Sequence, residues 1–359
     1  MRRRWGERCK WARLGFVISH PFAMRLRKDG APGVIGFVVS RPFAIRPRKD
    51  GARECLLPPE EVRFRGGFDS KGPMIERIAI LGTGLLGTSA GLGLRAAGFT
   101  GSITGWNRGA QGAETALKMG AVDAVAADPL QAAVESQVVL LAVPIYATLD
   151  WMEKLAPVLG PGHLVTDVGS TKAQITAAAS RLFNTPERAG FLPGHPMAGK
   201  ERGGAAQGDA ELFRGAVWLF TADPEWELSA RSAALAEEWR GWVRAMGAKT
   251  LDLDAARHDE LVGWVSHLPQ FVATALSALL EEEVGDAPEL KDVGGRALRE
   301  MTRLGASPYS MWRDIAYTNT EAVQAALHAL EQRLAHLREN LKTPALRDEF
   351  EQANRFRRE

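Results

Sequence analysis

IAILGTGLLGTSAGLGLRAA, residues 78–97, is the stretch from which the fold can be read. Ile78-Ala79-Ile80-Leu81 is a short apolar run, and an Ala/Gly/Leu-rich helical pattern follows to about Ala97. Between them lies Gly82-Thr83-Gly84-Leu85-Leu86-Gly87, a G-x-G-x-x-G turn with a strand before it and a helix after it. In that context each glycine has a task. Gly82 permits the tight turn, Gly84 lets the backbone approach a pyrophosphate, and Gly87 lets the helix pack closely on the sheet. The helix N-terminus adds unpaired N–H groups and a partial positive charge. Residues 82–87 are therefore a candidate dinucleotide cradle.

The surrounding pattern alternates strand and helix. Ser102–Trp106 reads as a second strand, 111–119 as a helix and 121–126 as a short third strand. Val138–Val143 (VVLLAV) is continuously apolar, as in a parallel strand buried on both faces, and Pro144 ends it. His163–Asp167 is a further strand that runs into DVGSTK (167–172), another strand-to-helix turn. The order predicts an α/β, Rossmann-like doubly wound domain over 74–253. Ligands in such sheets sit at the carboxyl ends of the strands. The turns at 82–87, 107–108, 144–146 and 168–172, with Val143 and Pro144 at one of them, should face one crevice. Residues 190–192, 217–221 and 249–253 read as later strands, with a helix near 228–246. From 254 to 345, helical patterns at 258–283, 288–304 and 309–338 predict an all-α domain, followed by a charged tail at 346–359. Pro269 should kink or divide the first of these helices and free a carbonyl.

The ribose partner should follow the second strand, where an NAD-specific fold usually places Asp or Glu. Here the residues are Asn107 and Arg108. No carboxylate stands there to bind a 2′-hydroxyl, and an arginine is available for a 2′-phosphate. The pattern favours NADP over NAD, against the plainer reading of Arg108 as a solvated loop residue.

Composition limits the other possibilities. The chain of 359 residues has a formal charge of +2, but residues 1–73 alone carry 17 Lys/Arg against 7 Asp/Glu. The basic character belongs to that leader, so it gives no reason to expect nucleic-acid binding by the body. GFVISHPFAMRLRKDGA (15–31) recurs as GFVVSRPFAIRPRKDGA (36–52), identical at 13 of 17 positions, which reads as duplicated DNA. Met74 stands just before the first strand and is the expected physiological start; a targeting peptide is the rival reading of 1–73. Both cysteines, Cys9 and Cys55, lie in the leader. The body thus has no disulfide, thiolate metal site or cysteine nucleophile, which fits a reducing cytoplasm. No apolar run approaches the ~20 residues of a membrane-spanning helix.

PGHPMAGKERGG (193–204) places His195 in a turn between Gly194 and Pro196. A hydride acceptor alone does not oxidise an alcohol; a base must take the hydroxyl proton, and histidine titrates nearest neutrality. The plainer reading is a loop histidine satisfied by hydrogen bonds. In the helical part Arg296, Arg299 and Arg303 are spaced for one helix face, which suggests a carboxylate-bearing ligand. Glu289, Asp292 and Glu300 are the alternative partners. In HDELVGWVSHLPQ (258–270), His258 and His267 are nine residues apart and about half a turn out of phase. They cannot both face the crevice unless Pro269 or a partner subunit changes the geometry. His267 and Gln270 share a face and are the pair placed near substrate.

GTGLLG, DVGSTK, GHPMAGKERGG, HDELVGWVSHLP and LREMTRLGASPYSMWRDI, in that order and spacing, resemble the prephenate/arogenate dehydrogenase family of tyrosine biosynthesis, from about Met74 to Asn340. The resemblance implies a Rossmann domain followed by a helical dimerisation domain, hence a homodimer acting on a small molecule. It implies oxidative decarboxylation of prephenate to 4-hydroxyphenylpyruvate, or of arogenate to tyrosine, with NADP or NAD. Carried over by position, His195 matches the catalytic histidine and Ser170 the serine that helps hold the ring hydroxyl. Arg303 matches the arginine that binds a substrate carboxylate, His267 a second active-site histidine, and Glu201 an acid near the entrance. Arg299 joins the substrate side through the helix-face argument above. Lys200 stands where many relatives carry Thr, and Gln270 where some carry His. The resemblance includes no regulatory C-terminal domain and no fused mutase domain, so feedback control by such a domain is not implied. The rivals are a 6-phosphogluconate-type hydroxyacid dehydrogenase and a non-catalytic NAD(P) sensor on the same fold.

Overall fold

The computed structural model describes residues 75–358. The leader, its repeat, both cysteines and Met74 lie outside the described residues.

The first half alternates as read: β1 (Arg77–Leu81), α1 (Leu85–Ala96), β2 (Ser102–Trp106), α2 (Ala110–Lys118), β3 (Ala124–Val125), α3 (Pro129–Val134), β4 (Val138–Leu141), α4 (Ile145–Leu155), β5 (Leu164–Asp167), α5 (Ala173–Leu182) and β6 (Gly190–Leu192). The six strands form one parallel sheet in the order β3-β2-β1-β4-β5-β6. That is the doubly wound order, with its switch point between β1 and β4. Period-two alternation divides the core. Ile78, Ile80, Val138 and Leu140 pack on one face, while Ala79, Leu81, Val139 and Leu141 pack on the other. Both faces are thus covered, which explains why β4 reads as an unbroken apolar run. Local chemistry starts the helices. Asp128 accepts from the Leu130 N–H to cap α3, and Pro129 follows at the first helical position.

The chain then leaves the large sheet. β7 (Gly194–Pro196), β8 (Val217–Phe220) and β9 (Lys249–Asp252) form a second sheet, with α6 (Ala230–Ala245) between the last two. β7 pairs antiparallel with β8, His195 opposite Leu219. His195 therefore lies on a short edge strand rather than in a turn. Gly194 and Pro196 look like turn punctuation, but proline is tolerated at a strand edge.

The remainder is helical: α7 (Ala255–Val262), α8 (Leu268–Val284), α9 (Leu290–Val293), α10 (Arg296–Thr302), α11 (Tyr309–Thr318), α12 (Thr320–Glu339) and α13 (Ala345–Arg358). Three expected helices are divided. The first is interrupted by a π-helical turn at Gly263–His267, where the Leu268 N–H bonds the Gly263 carbonyl, and Pro269 falls in the first turn of α8. Proline needs no donor there, so the freed geometry is absorbed just upstream. Gly294-Gly295 separates α9 from α10, and Asn319 separates α11 from α12. The charged tail forms helix α13. No helix among the described residues is long and apolar enough to cross a membrane.

Candidate active site

The carboxyl ends of β1, β4 and β5 lie side by side, with Leu81 in register with Leu141 and Leu141 with Asp167. The turns that follow these strands share one crevice. Gly82 has φ +105°, and a Cβ there would lie 2.3 Å from the Ala142 carbonyl oxygen. A Cβ on Gly87 would lie 2.0 Å from the Gly82 carbonyl oxygen. Gly84 differs, because a Cβ there would meet nothing within 4 Å. Its backbone is the open part of the turn, and helix α1 starts from it with no side-chain cap and no acid in its first turn. The first N–H groups of α1 are thus available to an anion, and the residues present fit a dinucleotide pyrophosphate. Leu85 and Leu86 are half-buried, and the buried Thr83 hydroxyl has no partner among the described residues. Asn107 folds back to donate to the Gly109 carbonyl, while Arg108 is exposed and makes no ion pair among the described residues. Val143 is half-buried beside Gly82, and Pro144 is the exposed N-cap of α4.

Across the crevice, Asp167 ends β5 and organises the histidine strand. Its Oδ1 accepts the Gly194 N–H at 3.0 Å and its Oδ2 the Gly169 N–H at 2.7 Å. Lys172, fully buried, donates from Nζ to Asp167 Oδ2 and to the Gly194 carbonyl at 2.8 Å. Burial lowers the Lys172 pKa and the Asp167 charge opposes that shift. His195 is thereby fixed one residue from a charged anchor, and that anchor, Asp167, ends the strand two places (~10 Å) across the sheet from the strand that leads into the glycine turn. Ser170 lies half-buried in the turn between β5 and α5.

His195 Nδ1 lies 2.9 Å from His258 Nε2, and His258 Nδ1 lies 2.8 Å from Asp259 Oδ1. Asp259 also accepts the Lys172 N–H at 2.7 Å and the Ala173 N–H at 2.8 Å, so α7 caps the N-terminus of α5. Burial drives the His195 pKa well below 6.5, helped by His258, Lys172 and His267. Burial also lowers His258, against the raising effect of Asp259. His267 is lowered to about 4, again chiefly by burial. Both His258 and His267 are fully buried and both act on His195, which a nine-residue spacing on a regular helix would not allow. The π turn between them changes the phase. The Asn319 amide nitrogen donates to the Asp259 carbonyl at 2.8 Å and lies 3.2 Å from His267 Nδ1. His267 Nδ1 is therefore an acceptor, and Nε2 carries the proton. That buried Nε2 has no partner among the described residues.

The arginines do not act as one face. α10 ends at Thr302, and Arg303 begins a 3-10 turn, Arg303–Ala306. Arg296 is exposed and pairs with Glu300, one of the acids considered as its partner, at 2.6 Å. Arg299 donates to the Gly294 carbonyl at 3.2 Å. Arg303 instead pairs with Glu201, in the loop after β7. Gln270 is buried and fully engaged within the protein. Its Nε2 donates to the Leu304 carbonyl at 2.7 Å and its Oε1 accepts from Ser307 at 3.0 Å. It tethers the turn that carries Arg303. Lys200 folds onto Asp209 at 3.0 Å. Asp259, Lys172 and Asn319 were not singled out from the sequence, and His258 was set aside. The adjacent His258-Asp259 pair near a helix start was the available signal.

With this geometry in view, similarity to known proteins is informative. The family model described as "Prephenate dehydrogenase, nucleotide-binding domain" matches residues 90–237, and "Prephenate dehydrogenase, dimerization domain" matches 254–355. The chain belongs to the prephenate dehydrogenase family. A prephenate dehydrogenase of Lactococcus lactis subsp. cremoris is 32% identical over 248 residues, covering 69% of this chain and 66% of the relative, just under two thirds of its length. A cyclohexadienyl dehydrogenase of Zymomonas mobilis is 30% identical, covering 71% of this chain and 84% of the relative. The crystal structure of the Aquifex aeolicus prephenate dehydrogenase with hydroxyphenyl propionate and NAD+ superposes with a TM-score of 0.70 at 27% identity, covering 80% of this chain and 99% of that one. In this prephenate dehydrogenase family member the domain matched as nucleotide-binding contains the crevice wall with His195. The domain matched for dimerisation contributes His258, His267 and Arg303.

Proposed function

We propose that this protein is an NAD(P)-dependent prephenate dehydrogenase. The observation that supports the proposal is a buried histidine, His195, next to Gly194, which Asp167 anchors at the carboxyl end of β5, two strands from the one that leads into the glycine turn. The crevice would hold the dinucleotide with its pyrophosphate over residues 82–87 and its adenosine ribose near Asn107 and Arg108, and Val143 and Pro144 would flank it. Arg108 supports NADP over NAD. When bound, the nicotinamide accepts a hydride from the carbinol carbon of the substrate.

The chain's own residues handle the proton and the charge. Ser170 holds the ring hydroxyl and His195 takes its proton as the hydride leaves the same carbon. The ring carbonyl so formed draws in the electrons of the C–CO2 bond, CO2 departs and the ring becomes aromatic. His195 returns the proton to the phenolate, giving 4-hydroxyphenylpyruvate with no net proton release. Aromatisation makes the sequence essentially irreversible, so the protein's work is alignment. Arg303, with Arg299 nearby in sequence, receives a substrate carboxylate, Glu201 stands at the entrance, and the neutral His267 offers an N–H. Gln270 serves by holding the Arg303 turn. The helical domain would build a homodimer. The test crosses prephenate and arogenate with NADP and NAD and follows reduced-nicotinamide absorbance. Turnover of prephenate is expected to be fastest with NADP. Turnover of arogenate alone overturns the substrate, and no reduction with either overturns the enzyme reading.

A further inference from the structure

The hydrogen bonds around His195 run in one direction. Both oxygens of Asp259 accept main-chain N–H groups, from Lys172 and Ala173. The positive end of helix α5 favours a carboxylate there. Asp259 Oδ1 can then only accept from His258 Nδ1, at 2.8 Å. A neutral imidazole with its proton on Nδ1 has a lone pair on Nε2. That lone pair faces His195 Nδ1 at 2.9 Å, so Nδ1 must be the donor. The reverse polarity would set two acceptors, His258 Nδ1 and the carboxylate, against each other. His195 is left with its lone pair on Nε2, the ring nitrogen that is not engaged with His258.

We propose that Asp259 and His258 form a positioning relay that fixes His195 in the Nδ1–H tautomer, with Nε2 presented to the crevice as the proton acceptor. The role deepens the dehydrogenase reading and rests on it for its purpose, but the tautomer itself can be measured without any substrate. The same chain explains how a histidine so deeply buried can accept a proton. When Nε2 is protonated, the cation donates from Nδ1 to His258, whose own Nδ1–H faces Asp259. The charge is shared along two imidazoles towards a carboxylate. The charged and titratable groups around it are Lys172 and Asp167 below the strand, His258 and Asp259 on α7, and His267 on the π turn. Three of these oppose a proton on His195, since His258, Lys172 and His267 all lower its pKa. In the proposed relay, the Asp259 carboxylate at the far end of the chain would work against them.

The experiment uses full-length protein carrying ¹⁵N-labelled histidine. There are 7 histidines, and the His195 signals are identified by their loss in His195→Asn. At neutral pH the expected spectrum has His195 protonated on Nδ1 and bare on Nε2, and His258→Leu abolishes that preference. In kinetics, His258→Leu should lower kcat by about 10²–10³-fold with KM for substrate within a few-fold. His258→Gln, whose amide oxygen can accept the same N–H, should recover kcat to within about tenfold of wild type. A wild-type His195 protonated on Nε2, a tautomer unchanged in His258→Leu, or equal kcat in the Leu and Gln variants would overturn the proposal. If the Leu variant does not fold, the wild-type and Gln spectra still decide. A correct tautomer in a protein that turns over no cyclohexadienol would sink the activity and leave the relay standing.

Discussion

Arg303, at the start of the 3-10 turn after α10, is ion-paired with Glu201, in the loop that follows the histidine strand. The pair bridges the helical part of the chain and the sheet part at a partly exposed position. A substrate carboxylate that reaches Arg303 must compete with Glu201. Arg303→Ala should therefore raise KM for prephenate by about 10–100-fold, the worth of a charge-assisted hydrogen bond, with kcat nearly unchanged. Glu201→Gln removes the competitor and should lower KM a few-fold. Steady-state kinetics of both variants test this, and an unchanged KM in Arg303→Ala removes the residue from substrate binding.

The glycines of the turn should separate by mutation. Gly82 sits at φ +105° against the Ala142 carbonyl, so Gly82→Ala should lose both thermal stability and cofactor affinity. Gly84 is at φ −81° with open space at its Cβ position, so Gly84→Val should keep its Tm within a few degrees. The added side chain would stand where the pyrophosphate approaches, and cofactor affinity should fall by more than about tenfold. Thermal melts with cofactor titrations check both. Full cofactor affinity in Gly84→Val would move the phosphate site elsewhere.

The doubly wound sheet was readable because its signals are local. A strand, a glycine turn and a helix follow one another within 78–97, and β4 is apolar throughout. His195 and the glycine turn were singled out from similarly local patterns, whereas Ser170 entered only through the family resemblance. The His258–His195 bond was not, since it joins residues 63 apart and depends on a π turn that no periodicity announces. The Arg296/Arg299/Arg303 spacing misled because Thr302 ends the helix, and a count of residues assumes that the helix continues. Gln270 looked like a ligand contact for a similar reason. Its real partners, Leu304 and Ser307, lie more than thirty residues away.

Buried neutral histidines make acid costly. His195, His258 and His267 are all held below 6.5, so between about pH 6.5 and 4 the unfolded chain binds protons that the folded chain refuses. Stability should rise with pH through that window and be lost on acidification. For His267, lowered to about 4, the loss at pH 4 is about 3 kcal/mol relative to neutral pH. Denaturant unfolding between pH 7 and 4.5 measures the slope, and His267→Asn should flatten it. A slope unchanged by that substitution contradicts the neutral burial of His267.

Cofactor preference should follow Arg108. It is exposed, unpaired among the described residues and next to Asn107 at the end of β2. Arg108→Asp should shift the ratio of kcat/KM for NADP over NAD by about 10–100-fold towards NAD, through loss of a charge-assisted contact to the 2′-phosphate. Kinetics with both cofactors read this directly, and an unmoved ratio makes Arg108 a solvated loop residue.

His195→Asn tests the central claim most directly, in a single-turnover comparison with wild type on saturating NADP and prephenate. Wild type should yield one reduced nicotinamide and one CO2 per prephenate consumed. The variant should bind NADP with unchanged affinity and be slower by about 10²–10⁴-fold in both products together. An His195→Asn enzyme that reduces NADP at the wild-type rate would contradict the account.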